Sequence, residues 1–182
     1  MPPQSPPPTG PAHPHAAEIA SPGMVRRYRS KTLSTWLAVL GGTLGLHRFY
    51  LHGLADVWAW MHLPVSLVGL AGVLRMQAFG QDDPWAWLLI PVLGLMIAQS
   101  MACAIAYALR PDEAWDALRN PGHPTRTTRW GPVLGAIVAL AVGATVLMGT
   151  IAFGGQKFFE WQLRTRLSTP GLIQVNQASP AA

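Results

Sequence analysis

Residues 85–109 and 132–153 contain no Asp, Glu, Lys or Arg. The first stretch is 25 residues long, roughly 37 Å as a helix, which exceeds the ~30 Å hydrocarbon thickness of a bilayer. A helix buried in a soluble core is seldom apolar on every side for that length. Hydrocarbon holds no water to take up backbone N–H and C=O groups, so only helices and closed barrels cross it. Charged residues make up 12% of the chain, about half the roughly 25% usual in globular domains. The expected fold is all-α: a polytopic helical membrane protein with about four transmembrane helices arranged as two hairpins.

Four blocks follow from composition. Residues 2–23 hold eight of the 17 prolines and almost no large apolar side chain, so residues 1–25 read as a disordered Pro-rich tail. The chain opens on prolines rather than on a basic region and an apolar core, so no cleavable signal peptide is expected. Residues 29–76 read as a first two-helix hairpin, with apolar runs at 33–46 and 54–76. Residues 83–155 read as a second hairpin, in which Asp82 and Asp83 offer N-cap oxygens and Pro84 suits the first helical position. A short interfacial helix is expected at 111–119, with Ala114, Trp115 and Leu118 towards lipid. Residues 156–182 read as an amphipathic segment and a polar tail.

The 33–46 run is short of the ~20 residues that a full crossing needs. It can cross only if Thr32 and part of the 47–51 stretch lie among headgroups. Arg26, Arg27, Arg29 and Lys31 precede it as a juxtamembrane basic cluster suited to anionic lipid. Nothing extends that cluster into a larger basic surface, which argues against nucleic acid. With four spans and the N-terminus inside, eight Lys and Arg residues fall inside and five outside. If the first run does not cross, the split becomes nine against four, with the N-terminal cluster, Arg48 and the 110–129 loop on one side.

Helices in lipid associate through close packing, which small residues at every fourth position permit. Such rows run through Gly94, Ala98, Ala102 and Ala106, through Gly131, Gly135, Ala139 and Gly143, and through Gly41 and Gly45. The expectation is a hairpin of the third and fourth spans packed along the first two rows; self-association along one of them is the competing use.

The stretch Lys31-Thr32-Leu33, then Leu37 to Gly45 with Gly41 and Gly42, then His47-Arg48-Phe49-Tyr50-Leu51-His52-Gly53, resembles the TM-two domain family. The match covers about a quarter of the chain, residues 29–76. His52 stands where a glycine usually follows the leucine, and residues 69–75 lack the usual closing Trp and Asp. The resemblance implies two transmembrane helices joined by a short turn, a bacterial-type His-Arg-Phe-Tyr-Leu motif, and an inner-membrane location. Animal members are linked to signalling and phagocytosis, with the Arg-Phe turn in the cytosol; that placement conflicts with the N-inside, four-span count.

Read without the family, Gly41, Gly42 and Gly45 allow close backbone approach at a helix end. Arg48 reaches either lipid phosphate or a carboxylate, and Asp56 is the nearest acid. An Arg48–Asp56 pair would lower the cost of holding both at membrane depth. Phe49 and Tyr50 would anchor the turn, and Gly53 closes it. The motif is then either a recognition element for lipid or a partner, or a clamp holding two helices in register; the clamp is the expectation.

Catalytic patterns are missing: there is no phosphate-cradling loop after a strand, no HExxH helix and no carboxylate pair inside a span. His52 and Asp56 fall on one helical face, but His62 is expected to point elsewhere, so no metal site is read. Cys103, the single cysteine, excludes an internal disulfide and reads as a packing residue. The expected function is a small structural or interaction protein of the membrane without catalytic activity, metal or cofactor. Its partners would be the bilayer and another membrane protein or a second copy. A small transporter or channel subunit is the alternative.

Overall fold

The computed structural model describes residues 27–167, and among them every regular element is helical. The expected tail at 1–25 and the polar end beyond 167 lie outside the described residues. Three helices are long and apolar enough to cross a membrane: α3 (Val57–Phe79), α4 (Pro84–Leu109) and α6 (Gly131–Leu167). They mark a multi-pass membrane protein. Local chemistry sets their starts. Asp56 and Asp83 each accept from the backbone two residues on, at Trp58 (3.0 Å) and Trp85 (3.3 Å), and Pro84 occupies the first turn of α4.

The first apolar run does not form a single helix long enough to span. It forms α1 (Lys31–Gly41), a single 3-10 turn at Gly42–Leu44, and α2 (Leu46–His52). At 11 residues α1 extends only ~16 Å. It begins beside the end of α4, where Lys31 Nζ donates to the Arg110 carbonyl (2.7 Å) and to Asp112 (2.7 Å). Its far end lies against the middle of the bundle, because Gly42 abuts Ser100 of α4 and the Thr43 carbonyl accepts from Ser66 of α3 (2.6 Å). The chain then reverses, and α2 returns to the end where α1 started, with Arg48 bonded to Asp56 (3.0 Å) and His52 to Arg119 (3.1 Å). The run expected as the first crossing is therefore a pair of short helices that turns back within the bundle. Ser100 stands nine residues before Leu109, so the turn reaches ~14 Å into the bundle, about half a bilayer core.

α4 is the central helix, packed most extensively on α6 and then on α3. α4 and α6 run antiparallel: Gly94 meets Thr150 and Gly143 meets Met101. Ala38, Met101, Ala104 and Ala139 form the buried core where α1, α4 and α6 meet.

The row of small residues on α4 does not follow the contact. Gly94 is buried and Ala98 half-buried, but Ala102 and Ala106 are exposed. Steps of four residues turn a helix ~40° too far each, so Ala106 has drifted ~120° from Gly94. The contact face instead runs through Gly94, Met101, Ala104 and Ala108. On α6, Gly135, Ala139 and Gly143 are all buried. That row serves two neighbours: Gly135 faces Thr35 of α1, and Gly143 faces Met101 of α4. α6 also runs unbroken through Gly154 and Gly155 to Leu167, so the amphipathic stretch expected from 156 continues the last apolar helix.

Candidate functional site

One end of the bundle collects Arg27, Arg29, Lys31, Arg48, Arg110, Arg119, Arg126 and Arg129; the opposite end holds Arg75, Lys157, Arg164 and Arg166. We call the first the basic end. It is closed by α5 (Asp112–Arg119) and the following loop, which bind the segment leading into α1. Asp112 accepts from Lys31 Nζ (2.7 Å) and from both the amide (2.7 Å) and the hydroxyl (2.6 Å) of Thr128. Asp116 accepts from the Tyr28 hydroxyl (3.1 Å), the Asn120 amide nitrogen (2.7 Å) and the Arg126 backbone (2.8 Å). Asn120 also brackets Arg29, accepting from its N–H (2.7 Å) and donating to its carbonyl (3.2 Å). Burial pushes both carboxyls up, but these donors outweigh it and hold Asp112 and Asp116 below the usual aspartate range.

Asp112, Asp116 and the C-cap residue Asn120 share one face of α5 at four-residue spacing, a signal that is present in the sequence. Trp115 corrects another expectation. It is 1% exposed, not lipid-facing, and its indole N–H donates to the Arg29 carbonyl (2.9 Å) while its ring meets Tyr107 edge-on. An indole carries one donor, and burying it requires the partner that Arg29 supplies. Of the three residues expected to face lipid, Ala114 and Leu118 are exposed.

The motif residues divide by task. Arg48 and Asp56 pair (3.0 Å), and the guanidinium hydrogen bond holds the Asp56 carboxyl below its usual range. Asp56 also caps α3 through Trp58. Phe49 packs edge-on against Trp60. The Tyr50 hydroxyl accepts from the Ser30 amide (2.9 Å), which ties the end of α2 to the start of α1. Gly41 lies against Leu46 and Gly42 against Ser100, while Gly45 takes φ 76° beside the Ala59 carbonyl. Gly53 ends α2 at φ 87° with open space around it.

His47 and His62 were not expected to meet, yet both are buried with ring centroids 5.8 Å apart. His62 Nδ1 lies 2.6 Å from the Trp58 carbonyl and so carries the proton. Nδ1 of His47 and Nε2 of His62 have no partner among the described residues. No group of three metal-ligating side chains occurs among the described residues.

Beside the motif, Arg27, Arg29, Tyr50, His52, Leu118 and Arg119 line a half-open cavity of about 720 Å³. No carboxylate lines it. Arg119 donates to His52 Nε2 (3.1 Å), which leaves the other imidazole nitrogen facing Asp56 at 3.5 Å. Arg119 Nε is buried with no partner. Burial first, then Arg29, Arg110 and Arg48, push its guanidinium below the usual arginine range. Comparison with protein-family models, curated proteins and solved structures finds no match for this chain.

Proposed function

We propose that this chain is a small integral membrane protein of the interaction type, resembling the TM-two domain family, in which the His-Arg-Phe-Tyr-Leu motif is a structural clamp. The observation that carries this reading is the closed pairing of the motif. Arg48 with Asp56, Tyr50 with Ser30, and the Thr43 carbonyl with Ser66 all join the re-entrant pair to its own bundle. Polar groups committed in this way hold short helices in place at membrane depth. The basic end, with eight Lys and Arg among the described residues against four, sits in the cytoplasm by the positive-inside rule. With three crossings and a re-entrant pair, this topology puts the Arg-Phe turn on the cytoplasmic side, as the family resemblance implies, in the inner membrane of a bacterium.

Single cysteines placed in a Cys103→Ser background test the topology with a membrane-impermeant thiol reagent on inside-out and right-side-out vesicles. Cysteines at Arg27, Leu54 and Gly122 label from one side, and one at Gln81 labels from the other. Labelling of positions 27 and 54 from opposite faces would restore four crossings and remove the clamp reading. A transporter or channel subunit remains the second reading, favoured by the unpartnered nitrogens of His47 and His62 inside the bundle. A selective ion or proton flux in proteoliposomes that vanishes in His62→Gln would establish it instead.

A further inference from the structure

The clamp reading leaves the cavity beside the motif unexplained, and the cavity has its own chemistry. Arg27, Arg29 and Arg119 all line a space with no carboxylate in its lining, and the Arg29 charge lies near enough to Arg119 to act on it. None of the three forms an ion pair with a carboxylate among the described residues. Like charges held together repel, and a buried guanidinium nitrogen without an acceptor carries an unmet desolvation cost. Arg119 meets both conditions, since its Nε is buried and unpartnered and, among the described residues, its one hydrogen bond goes to a neutral imidazole. Tyr50 adds a neutral donor: its oxygen accepts from Ser30, and its own hydrogen has no acceptor among the described residues. The missing component is an anion with several acceptor oxygens. Guanidinium forks match phosphate oxygens in pairs, and carboxylates less fully when three forks converge.

We infer that this cavity binds a phosphate group bearing net negative charge, supplied by the headgroup of an anionic phospholipid in the leaflet at the basic end. Position favours the lipid. The cavity lies where α2 ends, at the depth of an interface, and Leu118 at its edge is 57% exposed. Leu54, Val57 and Trp58, a few residues beyond α2, are also exposed and suit acyl chains and the headgroup boundary. An anionic headgroup supplies charge to the arginines while its acyl chains stay against apolar surface. The same oxygens on a water-soluble phosphate ester would satisfy the guanidinium groups without that apolar contact.

The test uses the full-length protein in neutral detergent, titrated with dioctanoyl phosphatidic acid, dioctanoyl phosphatidylcholine and glycerol 3-phosphate, with binding read by native mass spectrometry. Phosphatidic acid should bind saturably. Its dissociation constant should rise on the order of ten-fold for each of Arg29→Gln and Arg119→Gln, the loss expected for one charge-assisted contact. Arg27→Gln should weaken binding in the same direction and disturbs no hydrogen bond of the cap, so a folding defect does not obscure its result. Arg129→Gln, at the same end but outside the cavity, should bind as the unaltered chain does. Equally tight binding of glycerol 3-phosphate would support the phosphate site and transfer its source from lipid to solution. Absence of saturable binding, equal affinity for phosphatidylcholine, or unchanged affinity in Arg27→Gln and Arg119→Gln would overturn the assignment. Each of these outcomes can occur whichever way the labelling experiment falls, so the two readings fail separately.

Discussion

Gly45 carries two constraints at once, and together they give a large effect from one added methyl group. Its φ of 76° lies in the left-handed region, where a Cβ costs ~1–2 kcal/mol. That Cβ would stand 2.5 Å from the Ala59 carbonyl oxygen and 3.3 Å from the Ala59 Cα. Both are backbone atoms in the first turn of α3, and they retreat only if α3 moves. Overpacking of this kind costs ~1–3 kcal/mol. Gly45→Ala should therefore destabilise the fold by about 2–5 kcal/mol. Gly53 offers the contrast. Its φ is 87° but nothing lies within 4 Å of the Cβ position, so only the backbone penalty of ~1–3 kcal/mol applies. At ~2–4 °C per kcal/mol for a chain of this size, Gly45→Ala lowers the melting temperature by roughly 4–20 °C and, midpoint for midpoint, by more than Gly53→Ala. Cys103 provides the assay, because the chain has one cysteine and it is half-buried in α4. A maleimide dye that fluoresces on reaction reports its exposure as the protein melts in detergent. Unchanged melting of Gly45→Ala, or a greater loss in Gly53→Ala, would refute the close-approach argument.

Four further outcomes use the same melting assay. Ala139 is fully buried and Ala102 exposed, so Ala139→Leu should cost ~1–3 kcal/mol while Ala102→Leu stays within ~0.5 kcal/mol; equal losses would restore the four-residue row. Lys31→Met removes two 2.7 Å bonds to the Arg110 carbonyl and Asp112 and should destabilise by ~1–3 kcal/mol; a neutral result would show that the cap does not hold α1. Asp56 both pairs with Arg48 and caps α3, so exchanging the two charges loses the cap and should not rescue. Asp56→Asn with Arg48→Gln should instead be less harmful than the sum of the single changes, and strict additivity would deny the pair. Asp112 and Asp116 are held below the usual aspartate range, so folded protein binds fewer protons than unfolded protein as pH falls. Their contribution is complete above the ordinary carboxylate range and is lost as pH drops through it towards the folded values. Melting between pH 7 and 3, followed for this outcome by loss of helical circular dichroism because a maleimide scarcely reacts with thiols in acid, should show that loss, less steeply in Asp116→Asn, and a curve unaffected by Asp116→Asn would exclude it.

The three helices able to cross were legible because a bilayer asks one simple question of each segment, whether about 20 residues run without charge. The caps were legible for a local reason: Asp83 and Pro84 act within one turn of where they stand. The re-entrant pair was not. A 14-residue apolar run fits both half a crossing and a whole one with its ends among headgroups, and only Ser66 and Ser100, from helices 23 and 58 residues away, choose between them. Trp115 misled because an indole suits an interface equally well from inside or outside. His62 could not be paired with His47 until the chain was known to turn back at Gly45. The cavity escaped notice for the same reason, since Arg27, Arg29 and Arg119 share no spacing that sequence can display.

Both the clamp and the cavity follow from the depth at which α1 turns. Non-helical backbone at membrane depth persists only where protein covers it, because each exposed carbonyl there costs several kcal/mol. At this turn Gly45 N–H closes on the Gly42 carbonyl (3.0 Å), and Ser66 takes the Thr43 carbonyl. Close cover requires small residues on every side, which explains glycine at 42 and 45 against serine at 100 and alanine at 59. A turn placed so deep leaves α2 only seven residues in which to return, so His52 and Tyr50 surface at the basic end beside the start of α1. There Tyr50 ties to Ser30, and Arg29 is drawn under Asn120 and Trp115. Arg27, Arg29 and Arg119 are brought around one space by restraints on the Arg29 backbone together with the hydrogen bond from Arg119 to His52. Removing those charges should therefore empty the cavity of its ligand while leaving the fold intact, whereas disturbing the turn at Gly45 should cost both.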